Sequence, residues 1–163
     1  VIYGEEALVS GTARGLGDFV LERQRPNGSW ATIRRLSIDE HGAFAKRFGS
    51  RRTLRLRLSS PLLAEAGVSP ISLTVKVAPR VTLRVGRAGT RFRGRAVPAP
   101  RGSTVRLERQ GARGWRRVGA SAVRSNGRFV ISRDRMRAGT YRVTVEPGGE
   151  LVRGVSGTVQ VPR

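Results

Sequence analysis

The chain has 163 residues, with 32 Lys or Arg against 11 Asp or Glu, and so carries a formal charge of +21. With no cysteine and a single histidine, His41, it cannot build a disulfide staple, a cysteine nucleophile, a thiolate metal site or a multi-histidine centre, and neither metal nor cofactor is expected. Hydrophobic residues make up 38% of the chain, enough for a packed core. No apolar run approaches the roughly 20 residues that a membrane-crossing helix requires.

In chain order, the opening Val1-Ile2-Tyr3 leaves little of a first strand, and a start at Val1 rather than methionine suggests a processed or excised piece of a longer product. An early strand through Val9-Ser10-Gly11-Thr12-Ala13 is followed by Leu21-Glu22-Arg23-Gln24 and a turn at Pro26-Asn27-Gly28. Asp39-Glu40-His41-Gly42 is the next turn signal. Leu54, Leu56 and Leu58 then alternate with Arg55, Arg57 and Ser59, the period of two that marks a half-buried strand. Pro61–Gly67 predicts one short helical turn in a connection, and the first half ends near Ala78-Pro79.

The second half repeats the first. Val9–Ala13 lies over Phe92–Ala96, Leu21-Glu22-Arg23-Gln24 recurs as Leu107-Glu108-Arg109-Gln110, and Trp30 matches Trp115. His41-Gly42-Ala43-Phe44 matches Asn126-Gly127-Arg128-Phe129, Thr53-Leu54-Arg55-Leu56 matches Thr140-Tyr141-Arg142-Val143, and Thr74–Val77 matches Thr158–Val161. The offset drifts only where loops absorb insertions. Val81, Leu83 and Val85, and later Tyr141, Val143 and Val145, continue the two-residue period. The expected domains are therefore 1–78 and 79–163. Each should be an all-β, antiparallel two-sheet sandwich of about seven short strands, since turns recur every 8 to 12 residues or so. An OB-type barrel would need fewer, longer strands and a helix that the periodicity does not show. Trp30 and Trp115, each just after a tight turn, are core plugs or exposed anchors, and their presence in both copies favours the structural reading.

Gly11, Asn126-Gly127-Arg128-Phe129 and Ala138-Gly139-Thr140-Tyr141-Arg142-Val143 resemble the tandem Ig-like or carboxypeptidase-regulatory-like sandwich modules of secreted and cell-surface bacterial proteins. The resemblance implies a secreted or surface location and a role as stalk, spacer, adhesive element, glycan binder or fibre subunit. The first copy departs from the pattern in having Leu54 where Tyr141 stands, and in its short start. A missing edge strand there could be supplied by an upstream run or by another subunit, which makes self-association through edge strands a possible assembly mode.

Catalytic chemistry is not expected. His41 is the only imidazole and its counterpart is Asn126, a turn residue, so it serves turn geometry rather than a nucleophilic triad. No Gly-x-Ser-x-Gly elbow, phosphate loop or convergent acid pair is encoded, and the junction Val77-Ala78-Pro79-Arg80 lacks calcium ligands. Lys46 shares a strand face with Phe44 and Phe48; a covalent link to an Asn or Asp is conceivable, and a lysine snorkelling at the sandwich rim is the simpler expectation.

The charge is uneven. Up to Ala78 there are 12 basic and 7 acidic residues, net +5; beyond it 20 and 4, net +16. Leu8, Ser10 and Thr12 of the first copy become Arg91, Arg93 and Arg95 in the second, and Arg116 and Arg117 follow Trp115. These five arginines are the candidate polyanion-binding residues, because guanidinium forks suit carboxylate, sulfate and phosphate and alternate strand residues repeat at a polymer-like spacing. A solvated face made basic by codon usage is the plain alternative. Acidic polysaccharide or cell-wall polymer is the favoured class of partner, with nucleic acid less so, since exposed aromatics are scarce. The expected function is a non-enzymatic structural or adhesive module, with accessory domains of a larger secreted enzyme as a further alternative.

Overall fold

The computed structural model describes residues 1–13, 19–86 and 89–162. The chain divides into two compact units, Tyr3–Lys76 with Val1, and Val77–Arg163 with Ile2.

Unit 1 has six strands among the described residues: β1 (Glu6–Thr12), β2 (Phe19–Gln24), β3 (Trp30–Leu36), β4 (Ala43–Gly49), β5 (Leu54–Ser59) and β6 (Ile71–Val75), with one short helix α1 (Pro61–Glu65) between β5 and β6. They form two antiparallel sheets, β1-β4 and β3-β2-β5-β6. Alternation sends Leu54, Leu56 and Leu58 inward against Val9, Phe19, Leu21 and Leu36, with Phe44 and Phe48 packed partly buried beside them. The Pro61 start of α1 fits a first helical turn, where no amide partner is lost.

Among its described residues unit 2 has eight strands: β7 (Arg80–Val85), β8 (Arg91–Val97), β9 (Thr104–Gly111), β10 (Gly114–Ala122), β11 (Arg128–Ser132), β12 (Gly139–Glu146), β13 (Gly154–Val155) and β14 (Val159–Val161). One sheet runs β11-β8-β7; the other runs β10-β9-β12, with β13 and β14 both pairing β12. Phe92, Phe129, Leu107, Tyr141, Val143 and Val145 fill the space between. The expected seven strands per unit are thus six and eight. Among the described residues β1 pairs with β4 alone, whereas β8 pairs with both β7 and β11, and the last strand of unit 2 is broken into two short pieces.

The repeat extends to irregular detail. Opposite Leu21 and Glu22, β3 skips Ile33; opposite Leu107 and Glu108, β10 skips the equivalent Val118. Such a bulge rotates the strand locally and sets which face the residues beyond it occupy. In the β10–β11 region the turn closes through Asn126, whose Oδ1 accepts the Arg128 amide at 3.1 Å, and through Gly127 at φ 76°, a conformation that disfavours a Cβ. In unit 2 the Tyr141 hydroxyl donates to the Arg137 carbonyl, tying the start of β12 to the preceding loop. This tyrosine corner, and a partition of three strands against four when β13 and β14 are taken as one broken strand, are those of an immunoglobulin-like sandwich. Both units are Ig-like β-sandwiches.

Candidate anion-binding face

The outer surface of the β7-β8-β11 sheet is built from residues that alternate with the core. Val81, Phe92, Phe129 and Ile131 are buried, which forces their neighbours outward. Arg84 of β7 thereby stands directly opposite Arg93 of β8, and Arg95 of β8 directly opposite Arg128 of β11. Arg84, Arg91, Arg93, Arg95, Arg124 and Arg128 line one shallow depression of about 520 Å³, with Thr82, Asn126 and Val130 between them and no acidic residue in its wall. Side chains facing each other this way have Cβ atoms about 5 Å apart, and like charges so placed are destabilising.

Two of the four acids of unit 2, Glu108 and Glu146, are engaged on the other sheet. Arg142 Nε donates to Glu108 Oε2 at 2.8 Å, and Glu146 Oε1 receives Arg153 Nε at 2.6 Å with Arg106 at 3.8 Å. The field over the β8 face is therefore not neutralised by a neighbour across the strands. The only aromatic in its wall, Phe129, is fully buried. The face offers guanidinium forks and no platform for stacking bases.

The five sequence candidates separate into two groups. Arg91, Arg93 and Arg95 are exposed side by side on β8. Arg116 and Arg117 are exposed on β10, in the other sheet, where they line a second depression of about 620 Å³ with Arg109, Arg133, Arg135 and Arg137. There Arg109 is held by a 3.0 Å bond from Nη2 to the Ala138 carbonyl. Alternation along one strand located Arg91, Arg93 and Arg95. The cross-strand partners Arg84 and Arg128 emerge only once strand order is known, although each already alternates with a core residue in the sequence.

The other marked residues have local roles. His41 is exposed in its turn, 3.6 Å from Glu40, and Asp39 Oδ1 accepts the amides of His41 and Ala43. Lys46 is half-buried opposite Val9, and no bond or ion pair links it to an Asn, Asp or Glu among the described residues. Neither tryptophan is a core plug. Trp30 stands opposite Gln24, two residues from Glu22 and hence on the same outward face, where the Arg57 guanidinium lies 4.5 Å above its ring. Trp115 is placed identically, 4.1 Å beneath Arg142. Each unit thus repeats a Glu–Arg–Trp stack: Glu22, Arg57 and Trp30 in one, Glu108, Arg142 and Trp115 in the other. The Arg57 hydrogen bond holds the Glu22 carboxyl below its usual pKa, against the upward push of burial.

Among the described residues no three His, Asp or Glu converge as metal ligands, and no helix is long and apolar enough to cross a membrane.

No family model and no curated protein matches the chain. Solved structures to which it is similar include a biofilm-associated protein's BSP domain, at 17% identity over 99% of this chain, with a TM-score of 0.41. A tetra-tandem repeat from the extending region of a large adhesion protein is 12% identical over 97% of this chain, TM-score 0.39. A cytokine receptor complex is 14% identical over 95% of this chain and 90% of that one, TM-score 0.45. The chain spans 28% and 49% of the first two. Bacterial adhesin and receptor domains alike are among these likenesses, which concern the fold alone.

Proposed function

We propose that the chain is a non-enzymatic structural and adhesive segment of a secreted or surface-displayed bacterial protein, in which unit 2 holds a polyanion on the outer face of β7-β8-β11. The observation that carries this reading is the pair of directly opposed arginines, Arg84 with Arg93 and Arg95 with Arg128, on a face without acids. Opposed like charges cost stability when nothing lies between them. An anionic polymer laid across the strands turns that cost into bidentate, charge-assisted hydrogen bonds. Codon usage accounts for many arginines but not for their clustering on one sheet face while every β1 counterpart is uncharged. Acidic polysaccharide or cell-wall polymer suits the face better than nucleic acid, because no exposed aromatic interleaves with the arginines.

The test is retention of the intact chain on immobilised heparin, with single-stranded DNA as a second polyanion. Changing Arg84, Arg93, Arg95 and Arg128 to Ser should lower the salt needed for elution far more than Arg116→Ser with Arg117→Ser. Equal retention of the quadruple variant and the parent would overturn the reading.

A further inference from the structure

The end of unit 2 at which β9 turns into β10 carries an arginine on the core side of its sheet. Val105 and Leu107 of β9 are fully buried, and alternation puts Arg109 on the same inward row. Directly opposite it stand Arg116 of β10 and the buried Tyr141 of β12. Arg117 stands opposite Glu108 and so belongs to the outer surface. The repeat supplies a comparison. Arg23 holds the Arg109 position in the first Leu-Glu-Arg-Gln run, with Ala31 and Leu56 opposite it. Both arginines keep a buried Nε without a hydrogen-bond partner. In unit 2 that donor has a second guanidinium beside it where unit 1 has a methyl group.

The β11–β12 loop brings three more. Arg133, Arg135 and Arg137 line the 620 Å³ depression with Arg109 and Arg116, and among the described residues no Asp or Glu is in its wall. The loop is held at both ends and in the middle. The Arg133 amide donates to the Thr90 carbonyl at 2.9 Å, the Arg137 carbonyl accepts from the Tyr141 hydroxyl, and Met136 packs partly buried against the core. Arg109 is fixed as well: Nη2 is bonded to the Ala138 carbonyl, and a Cβ on Gly139 would come within 3.1 Å of Nε, so the glycine leaves the guanidinium its space. Five guanidinium groups from three segments are thus gathered before any ligand arrives. Their mutual repulsion and the unmet Nε are costs that an anion would relieve. The recess also differs from the β8 face in shape, because Val118 and Met136 in its wall pack against the core. It receives an end group, whereas the β8 face can take a polymer laid on it. A carboxylate or a sulfate ester brings one charge to such a site. A phosphate monoester brings nearly two, with three terminal oxygens that several guanidinium forks can share.

We infer that this recess binds a phosphate monoester, its oxygens held by Arg109, Arg116 and the arginines of the β11–β12 loop, and its carrier group lying against Val118 and Met136. The site shares no lining residue with the β7-β8-β11 face, and neither reading depends on the other.

The test is titration calorimetry of the full chain with phenyl phosphate, phenyl sulfate and inorganic phosphate, at about pH 8 so that the phosphate monoester is a dianion. Phenyl phosphate should form a one-to-one complex. It should bind about tenfold or more tighter than phenyl sulfate, which has the same shape and one charge fewer. It should also bind tighter than inorganic phosphate, which has no apolar carrier to set against Val118 and Met136. Arg116→Ser with Arg135→Ser should weaken the complex about tenfold or more, whereas Arg84→Ser with Arg93→Ser, which removes equal charge, should leave it unchanged. Arg109→Met keeps the half-buried stem and should abolish binding. The inference is overturned if phenyl phosphate does not bind at millimolar concentration, or if either of the other two anions binds as tightly. It is overturned equally if the two double variants lose the same affinity, which is the diffuse attraction of a chain of +21.

Discussion

Arg84 and Arg93 face each other across β7 and β8, both exposed and with no acid beside them on the sheet face. A site that holds its ligand by charge is strained when empty, and stability and binding should therefore move in opposite directions. Arg93→Ser is expected to raise the stability of unit 2 in ligand-free, low-salt buffer by up to about 1 kcal/mol. The same change should weaken heparin binding and flatten its salt dependence. Thermal unfolding at two ionic strengths checks the first half, since screening at high salt should shrink the gain.

The second arginine group should act independently. Arg116 and Arg117 belong to the β9–β10–β12 sheet, and no lining residue is shared between the two depressions. Losses from Arg116→Ser and Arg93→Ser on a short oligosaccharide, too small to reach both, should not combine: a chain lacking Arg116 should bind as the parent does wherever the β8 face is the site. Competition with a short sulfated oligosaccharide, followed by resonance shifts on β8 and β10, checks which face it occupies.

Much of this arrangement is legible in the sequence where one strand suffices. Leu54, Leu56 and Leu58, or Tyr141, Val143 and Val145, announce their buried face by alternation alone, and the letter-for-letter Leu-Glu-Arg-Gln repeat places two equivalent strands. What depends on a neighbour is not legible. That Arg128 faces Arg95, or that Trp115 lies under Arg142, follows from strand order and from a bulge at Val118, which no local pattern encodes.

The Glu22–Arg57–Trp30 stack predicts an acid-sensitive element in unit 1. The carboxyl pKa is lowered in the folded chain, chiefly by the Arg57 hydrogen bond and then by Ser59. A group depressed on folding contributes stability above its unfolded value, near 4.3, and that contribution is lost as pH falls through the folded value. Unit 1 should weaken below about pH 4.5 with loss of about 1–2 kcal/mol. Glu22→Gln should already lack this component at neutral pH and show a flatter acid profile. Trp30 fluorescence, sensitive to the guanidinium 4.5 Å away, reports the event.

Tyr141 makes the opposite prediction for unit 2. Burial pushes its phenol above the ordinary value, with Arg109 and Arg137 pulling the other way. An acid whose pKa is raised on folding contributes stability below its unfolded value, about 10, and loses it as pH climbs through the folded one. Unit 2 should therefore resist ionisation of this tyrosine and destabilise above pH 10. Tyr141→Phe keeps the ring against Phe92, 5.2 Å between centroids, and removes the bond to the Arg137 carbonyl. The expected loss is about 1 kcal/mol, with the alkaline step gone from a denaturation series.

The two equivalent glycines Gly11 and Gly94 measure what the β7 position does. A methyl group on Gly94 would strike the backbone carbonyl of Thr82 on β7 and the Phe129 ring, which is fully buried and cannot retreat. On Gly11 it would meet only the far edge of Phe44, at 2.9–3.0 Å, a ring that is half-buried and has room to turn. Gly94→Ala should therefore cost about 3 kcal/mol, at the high end for overpacking, and Gly11→Ala under about 1 kcal/mol. Thermal unfolding of the two single variants, each unit followed by its own tryptophan, Trp30 or Trp115, reads the difference directly.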